Sequence, residues 1–124
     1  MADDPIPGDI RDFILRHIDS IAQLEALLLL RADSGQTWNV ARVAARLYTG
    51  ENEIKDVLAQ LCADGLLSCK DDVFQFECSP EAEAMVDRLA GVYRHHLIPV
   101  TNLIHTKPRR IREFANAFKF RKDS

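Results

Sequence analysis

The sequence predicts a mainly α-helical protein that carries one small β-hairpin. Two short segments, residues 40–47 and 54–61, repeat apolar side chains at the three- and four-residue steps of a helix with one buried face. Alternation follows over residues 73–77, where Phe74 and Phe76 share a face behind a polar turn at residues 70–72. The order over residues 37–78 is therefore helix, helix, hairpin, within a single domain covering residues 1–124.

Two further helices are predicted ahead of this segment. Residues 8–18 place Ile10, Phe13 and Ile14 on one side of a helix that begins after Pro7. Ser20 is a suitable N-cap for a second helix, whose apolar surface over residues 21–30 is wider than one stripe. That width predicts the central helix of the core.

Short signals connect the predicted elements. Thr37 and Trp38 form a candidate third strand beside the hairpin, and Asn39 is the expected N-cap of the helix that follows. Gly65 stands where the second of the paired helices needs a left-handed residue to end.

The C-terminal part of the chain is predicted to be helical from Ser79 onward. A capping hydroxyl followed by Pro80 and acidic residues is typical of a helix start. Pro99 predicts a kink or break near Ile98, since proline removes a backbone hydrogen bond and clashes with the preceding turn. A last helix is expected to begin near Pro108.

Composition favours a globular domain that remains in the cytoplasm. No apolar run approaches the roughly 20 residues that cross a bilayer, and the acidic N-terminus lacks the pattern of a secretory signal. Cys62, Cys69 and Cys78 are odd in number and show no CxxC spacing, so we expect free thiols in the core.

Charge is distributed unevenly along the chain. Residues 107–124 contain seven Lys or Arg and two acidic residues, which gives this segment a net charge of +5. Because the whole chain has a net charge of −3, residues 1–106 together carry −8. Such a tail contacts an anionic partner or folds against its own acidic surface, and charge alone does not decide between the two.

The segment over residues 37–78 resembles a winged helix-turn-helix module, with a core at about 20–78 and a C-terminal helical extension at about 79–119. The element order, with pieces such as Val43-Ala44-Ala45-Arg46-Leu47 and residues 58–67, is similar to that of MarR-type regulators. This resemblance implies a transcriptional regulator in which terminal helices of two subunits intertwine.

The resemblance implies that double-stranded DNA is the partner, although the charge pattern complicates this. The exposed positions of the second paired helix include Glu51, Glu53 and Asp56 against Lys55, whereas phosphate neutralisation by Lys and Arg usually supplies most of the affinity for DNA. Arg42 and Arg46 either contact phosphates or pair with nearby acids. The candidate DNA-binding residues are Arg42, Arg46, Asn52, Lys55, Arg109, Arg110 and Arg112.

A homodimer is expected through the apolar stripes of the terminal helices. The candidate interface residues are Phe13, Met85, Leu89, Val92, His96, Phe114 and Phe118. No catalytic constellation, metal-ligand spacing or phosphate loop is recognisable, so neither enzymatic activity nor a cofactor is expected.

Two functional interpretations stay open. The first is a regulator that binds DNA as a dimer. The second is a winged-helix module that binds a protein partner in a regulatory complex without touching DNA, because a fold does not fix a function. The fold favours the first interpretation and the acidic helix favours the second.

Overall fold

Residues 5–106 are described by the structure, a computed structural model, and they form six helices and a two-stranded sheet. The predicted winged helix-turn-helix with additional terminal helices is confirmed. The elements are α1 (Gly8–His17), α2 (Ile21–Ala32), α3 (Val40–Leu47), α4 (Glu51–Ala63), β1 (Leu67–Lys70), β2 (Val73–Phe76), α5 (Pro80–His95) and α6 (Leu97–Thr106).

Helix α2 lies at the centre of the core, as its wide apolar surface predicts. It packs against α3, α4, α5 and β2, and Leu24, Leu27 and Leu30 are completely buried. Ser20 caps it by accepting a hydrogen bond from the Gln23 backbone N–H at 3.1 Å. One element therefore connects the paired helices and the sheet to the C-terminal helices.

The turns around the sheet follow from residues that take positive φ. Gly65 has φ +79°, and the N–H groups of Gly65 and Leu66 donate to the carbonyls of Cys62 and Leu61, which is a Schellman ending for α4. Asp71 and Asp72 both have positive φ, as a two-residue type I′ hairpin turn requires. These two turns set the antiparallel register in which Leu67 faces Phe76.

The expected third strand is present as a single β-bridge. Trp38 and Phe74 exchange two backbone hydrogen bonds, of 2.7 and 2.8 Å. Asn39 then caps α3 by accepting from the Arg42 N–H at 2.8 Å. The start of α3 is thereby fixed against the sheet.

The C-terminal helices break two residues earlier than Ile98. Helix α5 ends at His95, His96 takes a non-helical conformation, and α6 starts at Leu97. Pro99 thus lies in the first turn of α6, where a missing N–H leaves no hydrogen bond unmade. The Val100 N–H donates to the His96 carbonyl as the helix begins.

The expectation of free thiols is wrong for two of the three cysteines. Cys62 and Cys69 form a disulfide with Cα atoms 6.2 Å apart, and Cys78 is free. The Schellman turn at Gly65 folds β1 back beside the last turn of α4 and brings the two Cα atoms within disulfide range. The spacing of the cysteines in the sequence does not predict this pairing, because it does not show that the chain reverses direction at Gly65.

Three side-chain contacts attach α5 to the N-terminal helices. Arg88 forms a bidentate ion pair with Asp9 of α1, and Arg31 of α2 pairs with Asp87 at 2.7 Å. Tyr93 donates its hydroxyl to Glu25 at 2.9 Å. Within residues 5–106, no helix is long and apolar enough to cross a membrane.

Candidate nucleic-acid interface

Helices α3 and α4 and the hairpin form one continuous surface. A groove of about 550 Å³ runs along it between the start of α3, the exposed side of α4 and the tip of the hairpin. It is lined by Asn39, Val40, Ala41, Glu51, Asn52, Lys55, Ala59, Asp72 and Phe74. The predicted residues Asn52 and Lys55 both line this groove.

The exposed side of α4 is acidic near its start. Glu51, Glu53 and Asp56 are all exposed, with Lys55 between them. Gly50 provides no side-chain cap, so acidic residues in the first turn are what interact favourably with the helix dipole there. Glu51 and Glu53 therefore have a local role in the helix, while their negative charge would repel a polyanion nearby.

Arg42 is held by three contacts of its own chain. Its guanidinium lies over the Trp38 ring, 4.0 Å from the ring centroid. It also donates to the Thr37 carbonyl at 3.0 Å and to the Gln36 side-chain oxygen at 2.7 Å. The side chain is exposed but its position is restrained.

Arg46 lies one helical turn further along α3 and approaches the same indole. Its guanidinium carbon is 5.6 Å from the Trp38 ring centroid, within the range of a cation–π interaction. Among residues 5–106, neither Arg46 nor Arg42 has a carboxylate within ion-pair distance. The pairing with nearby acids that the sequence left open is therefore not observed there.

Trp38 is the site residue that sequence reasoning missed. The sequence predicts it only as part of the third strand, although it stands four positions before Arg42, and Arg42 stands four positions before Arg46. Its indole is 2% exposed, and the buried Nε1 has no hydrogen-bond partner in the described part of the chain. The sequence shows the four-residue spacing of Trp38, Arg42 and Arg46. It does not show that the arginines stack on the indole, because the position of the ring depends on the bridge between Trp38 and Phe74.

The predicted dimer residues divide into two groups. Phe13 and Leu89 are buried within the single chain, whereas Met85, Val92 and His96 are half-buried. Large exposed apolar side chains follow directly, with Leu97 at 49% and Ile98 at 64% exposure. Among residues 5–106, two of the four large exposed apolar side chains therefore lie where α5 gives way to α6, and the other two are Tyr48 and Val73.

The basic tail cannot be placed on either surface. Arg109, Arg110, Arg112, Phe114 and Phe118, with the helix expected near Pro108, lie outside the described residues. In the range 5–106, no group of three or more His, Cys, Asp or Glu side chains is arranged to hold a metal ion.

Comparison with known proteins supports the fold. No family model matches the sequence, and no curated protein matches it either. Among solved structures, the chain is similar to the M. tuberculosis transcriptional regulator MosR, with a TM-score of 0.53 and 20% identity. The match covers 94% of this chain and 87% of that one, which supports a shared fold.

Proposed function

We propose that this protein is a transcriptional regulator of the MarR type that binds double-stranded DNA as a homodimer. The observation that carries the proposal is the pair of exposed arginines on α3, Arg42 and Arg46, which have no carboxylate within ion-pair distance among the described residues. They belong to the helix whose first residues line the groove, although neither arginine lines it. The architecture shared with a transcriptional regulator supports the same function.

In this proposal the two paired helices have different tasks. Arg42 and Arg46 contact the phosphate backbone, which supplies affinity without reading sequence. Asn52 and Lys55, on the exposed side of α4, reach base edges in the major groove, where amide and ammonium groups find complementary acceptors and donors. Arg109, Arg110 and Arg112 add non-specific attraction from the tail.

A dimer supports this arrangement because two copies of α4 would read two half-sites. The surface proposed for it contains the half-buried Met85, Val92 and His96, together with Leu97 and Ile98. Phe114 and Phe118 of the tail would extend it.

Retention on random duplex DNA across a salt gradient tests the proposal. Phosphate contacts release counterions, so the logarithm of the binding constant should fall steeply and linearly with the logarithm of salt concentration. Arg42→Gln with Arg46→Gln should flatten that slope, and Arg16→Gln on α1 is the control that removes a like charge elsewhere. Wild-type protein that does not bind duplex DNA at low salt would contradict the proposal.

The acidic side of α4 favours a second candidate, a module that binds a basic protein segment through the same groove. Glu51, Glu53 and Asp56 would attract such a segment and repel DNA. Glu51→Gln with Glu53→Gln separates the candidates, because removal of two negative charges should strengthen binding to DNA if this surface approaches phosphates. Unchanged DNA binding in that variant would favour the protein partner.

A further inference from the structure

Trp38 is immobilised more firmly than a surface aromatic residue. Its backbone is paired with Phe74 in both directions, and the indole is 2% exposed. Because the ring cannot turn away, the two guanidinium groups beside it have a fixed surface to lie on. The closer one, at 4.0 Å from the ring centroid, belongs to Arg42, and the other, at 5.6 Å, belongs to Arg46.

Arg42 keeps hydrogen-bonding capacity in this arrangement. A guanidinium has five N–H donors, and the bonds to the Thr37 carbonyl and the Gln36 side chain use two of them. Those bonds and the ring determine where the remaining donors are. An anion that arrives at this point does not have to order a freely rotating side chain.

Arginine suits this site better than lysine. The guanidinium stacks on an aromatic plane while its edge presents donors that match two oxygens of a phosphate. Two such groups on one face of α3 are separated by one helical turn and both interact with the same ring. The arrangement fits a phosphodiester, whose oxygens accept hydrogen bonds and carry the opposite charge.

We propose that Trp38, Arg42 and Arg46 form a preorganised phosphate cradle for the backbone of nucleic acid. Arg42 and Arg46 are the contacting residues. Trp38 and Gln36 are positioning residues that touch no ligand and act through the guanidinium groups. The cradle deepens the function proposed above and rests on it for the source of the phosphate.

Substitutions at position 38 separate positioning from charge. Trp38→Leu keeps both arginines and an apolar side chain but removes the aromatic platform, and Trp38→Phe retains a weaker one. With short random duplex DNA at constant salt, Trp38→Leu should bind about 3- to 10-fold more weakly than wild type, because guanidinium groups that no longer lie on the ring have to be ordered when the phosphate binds. The DNA affinity of Trp38→Phe should lie between the affinities of Trp38→Leu and wild type.

A role in the core alone would give a different result. Trp38→Leu would then melt at lower temperature but bind DNA like wild type at temperatures where circular dichroism shows both to be folded. That outcome would overturn the proposal. Gln36→Ala provides a second variant that leaves the core intact, and it should also weaken DNA binding if Arg42 is positioned as described.

The indole itself reports on the cradle, because Trp38 is the only tryptophan in the chain. Titration with inorganic phosphate should change its fluorescence in wild type and in Arg16→Gln, but much less in Arg46→Gln. Such a change without duplex binding would uphold the cradle while refuting the DNA-binding function. Identical spectra and titrations in wild type and Arg46→Gln would refute the stacking.

Discussion

At the scale of single residues, Tyr48 has a strained backbone conformation in the turn between α3 and α4. It ends α3 in the left-handed conformation at φ 54°, while its side chain is 95% exposed. Gly50, the glycine nearest to this turn, has φ −62°, so the left-handed position falls on a tyrosine and not on the glycine. A side chain with a Cβ pays about 1 to 2 kcal/mol there.

Tyr48→Gly should therefore raise the free energy of unfolding by about 0.5 to 1 kcal/mol, since glycine removes the strain but loses more conformational entropy on folding. The matched control is Tyr48→Ala, which removes the same exposed ring and keeps the strain, and it should leave stability nearly unchanged. Urea denaturation of the three proteins measures this. Equal stabilisation by both substitutions would show that the ring, and not the backbone, is the cause.

Cys78 is chemically different from the other two cysteines. Burial raises the pKa of its thiol, and the negative charges of Glu83 and Asp87 raise it further. A smaller thiolate fraction at neutral pH slows alkylation. Cys78 should therefore react slowly with iodoacetamide in the native state.

At the scale of elements, the disulfide connects the end of α4 to β1. Thiol titration in denaturant without reductant should give one free thiol per chain, and three after reduction, since the chain has three cysteines. Loss of this short loop closure in Cys69→Ser should lower the free energy of unfolding by about 2 to 3 kcal/mol. Cys78→Ser is the control. Three thiols before reduction would show that the pair is not oxidised.

The ion pair between Asp9 and Arg88 links α1 to α5 and predicts a response to acid. The hydrogen bond from Arg88 lowers the pKa of Asp9 below its ordinary value of 3.8. A lowered folded-state pKa contributes stability above the unfolded-state pKa, and that contribution is lost as pH falls through the folded-state value. The pair is exposed, so its effect is small.

Asp9→Asn should accordingly melt slightly below wild type at pH 7, and the difference should shrink as pH falls below about 4. Arg88→Gln should show the same convergence, because it removes the other partner. Melting curves at several pH values measure the difference. A gap that stays constant or grows in acid would contradict the role of this pair.

Element types and helix starts were predictable from sequence, and long-range contacts were not. Ser20, Asn39 and Ser79 each cap a helix by accepting from the N–H three residues ahead, so their signal is local. The ion pairs of α5 join residues 56 and 79 positions apart, and the stacking of Arg42 depends on a bridge to Phe74. Local patterns carry no information about which distant residues meet.

At the scale of the whole molecule, substitutions in the hydrophobic core and on the proposed dimer surface should have different effects. Leu89 is completely buried, so Leu89→Ala should cost about 2 to 5 kcal/mol in any oligomeric state. Ile98 is 64% exposed and the neighbouring Leu97 is 49% exposed, so a change at Ile98 leaves the core contacts in place. An exposed isoleucine beside an exposed leucine is typical of a surface that another molecule covers.

Ile98→Asp therefore tests the dimer without damaging the core. Wild-type protein should sediment at equilibrium as twice the 14.0 kDa chain at micromolar concentration, and Ile98→Asp should sediment as a folded monomer, because a charge would lose its water on association. Tyr48→Asp is the control, since it places the same charge on an exposed aromatic residue between α3 and α4 and should stay dimeric. Wild type that sediments only at 14.0 kDa would refute the dimer, and a dimeric Ile98→Asp would place the interface away from the start of α6.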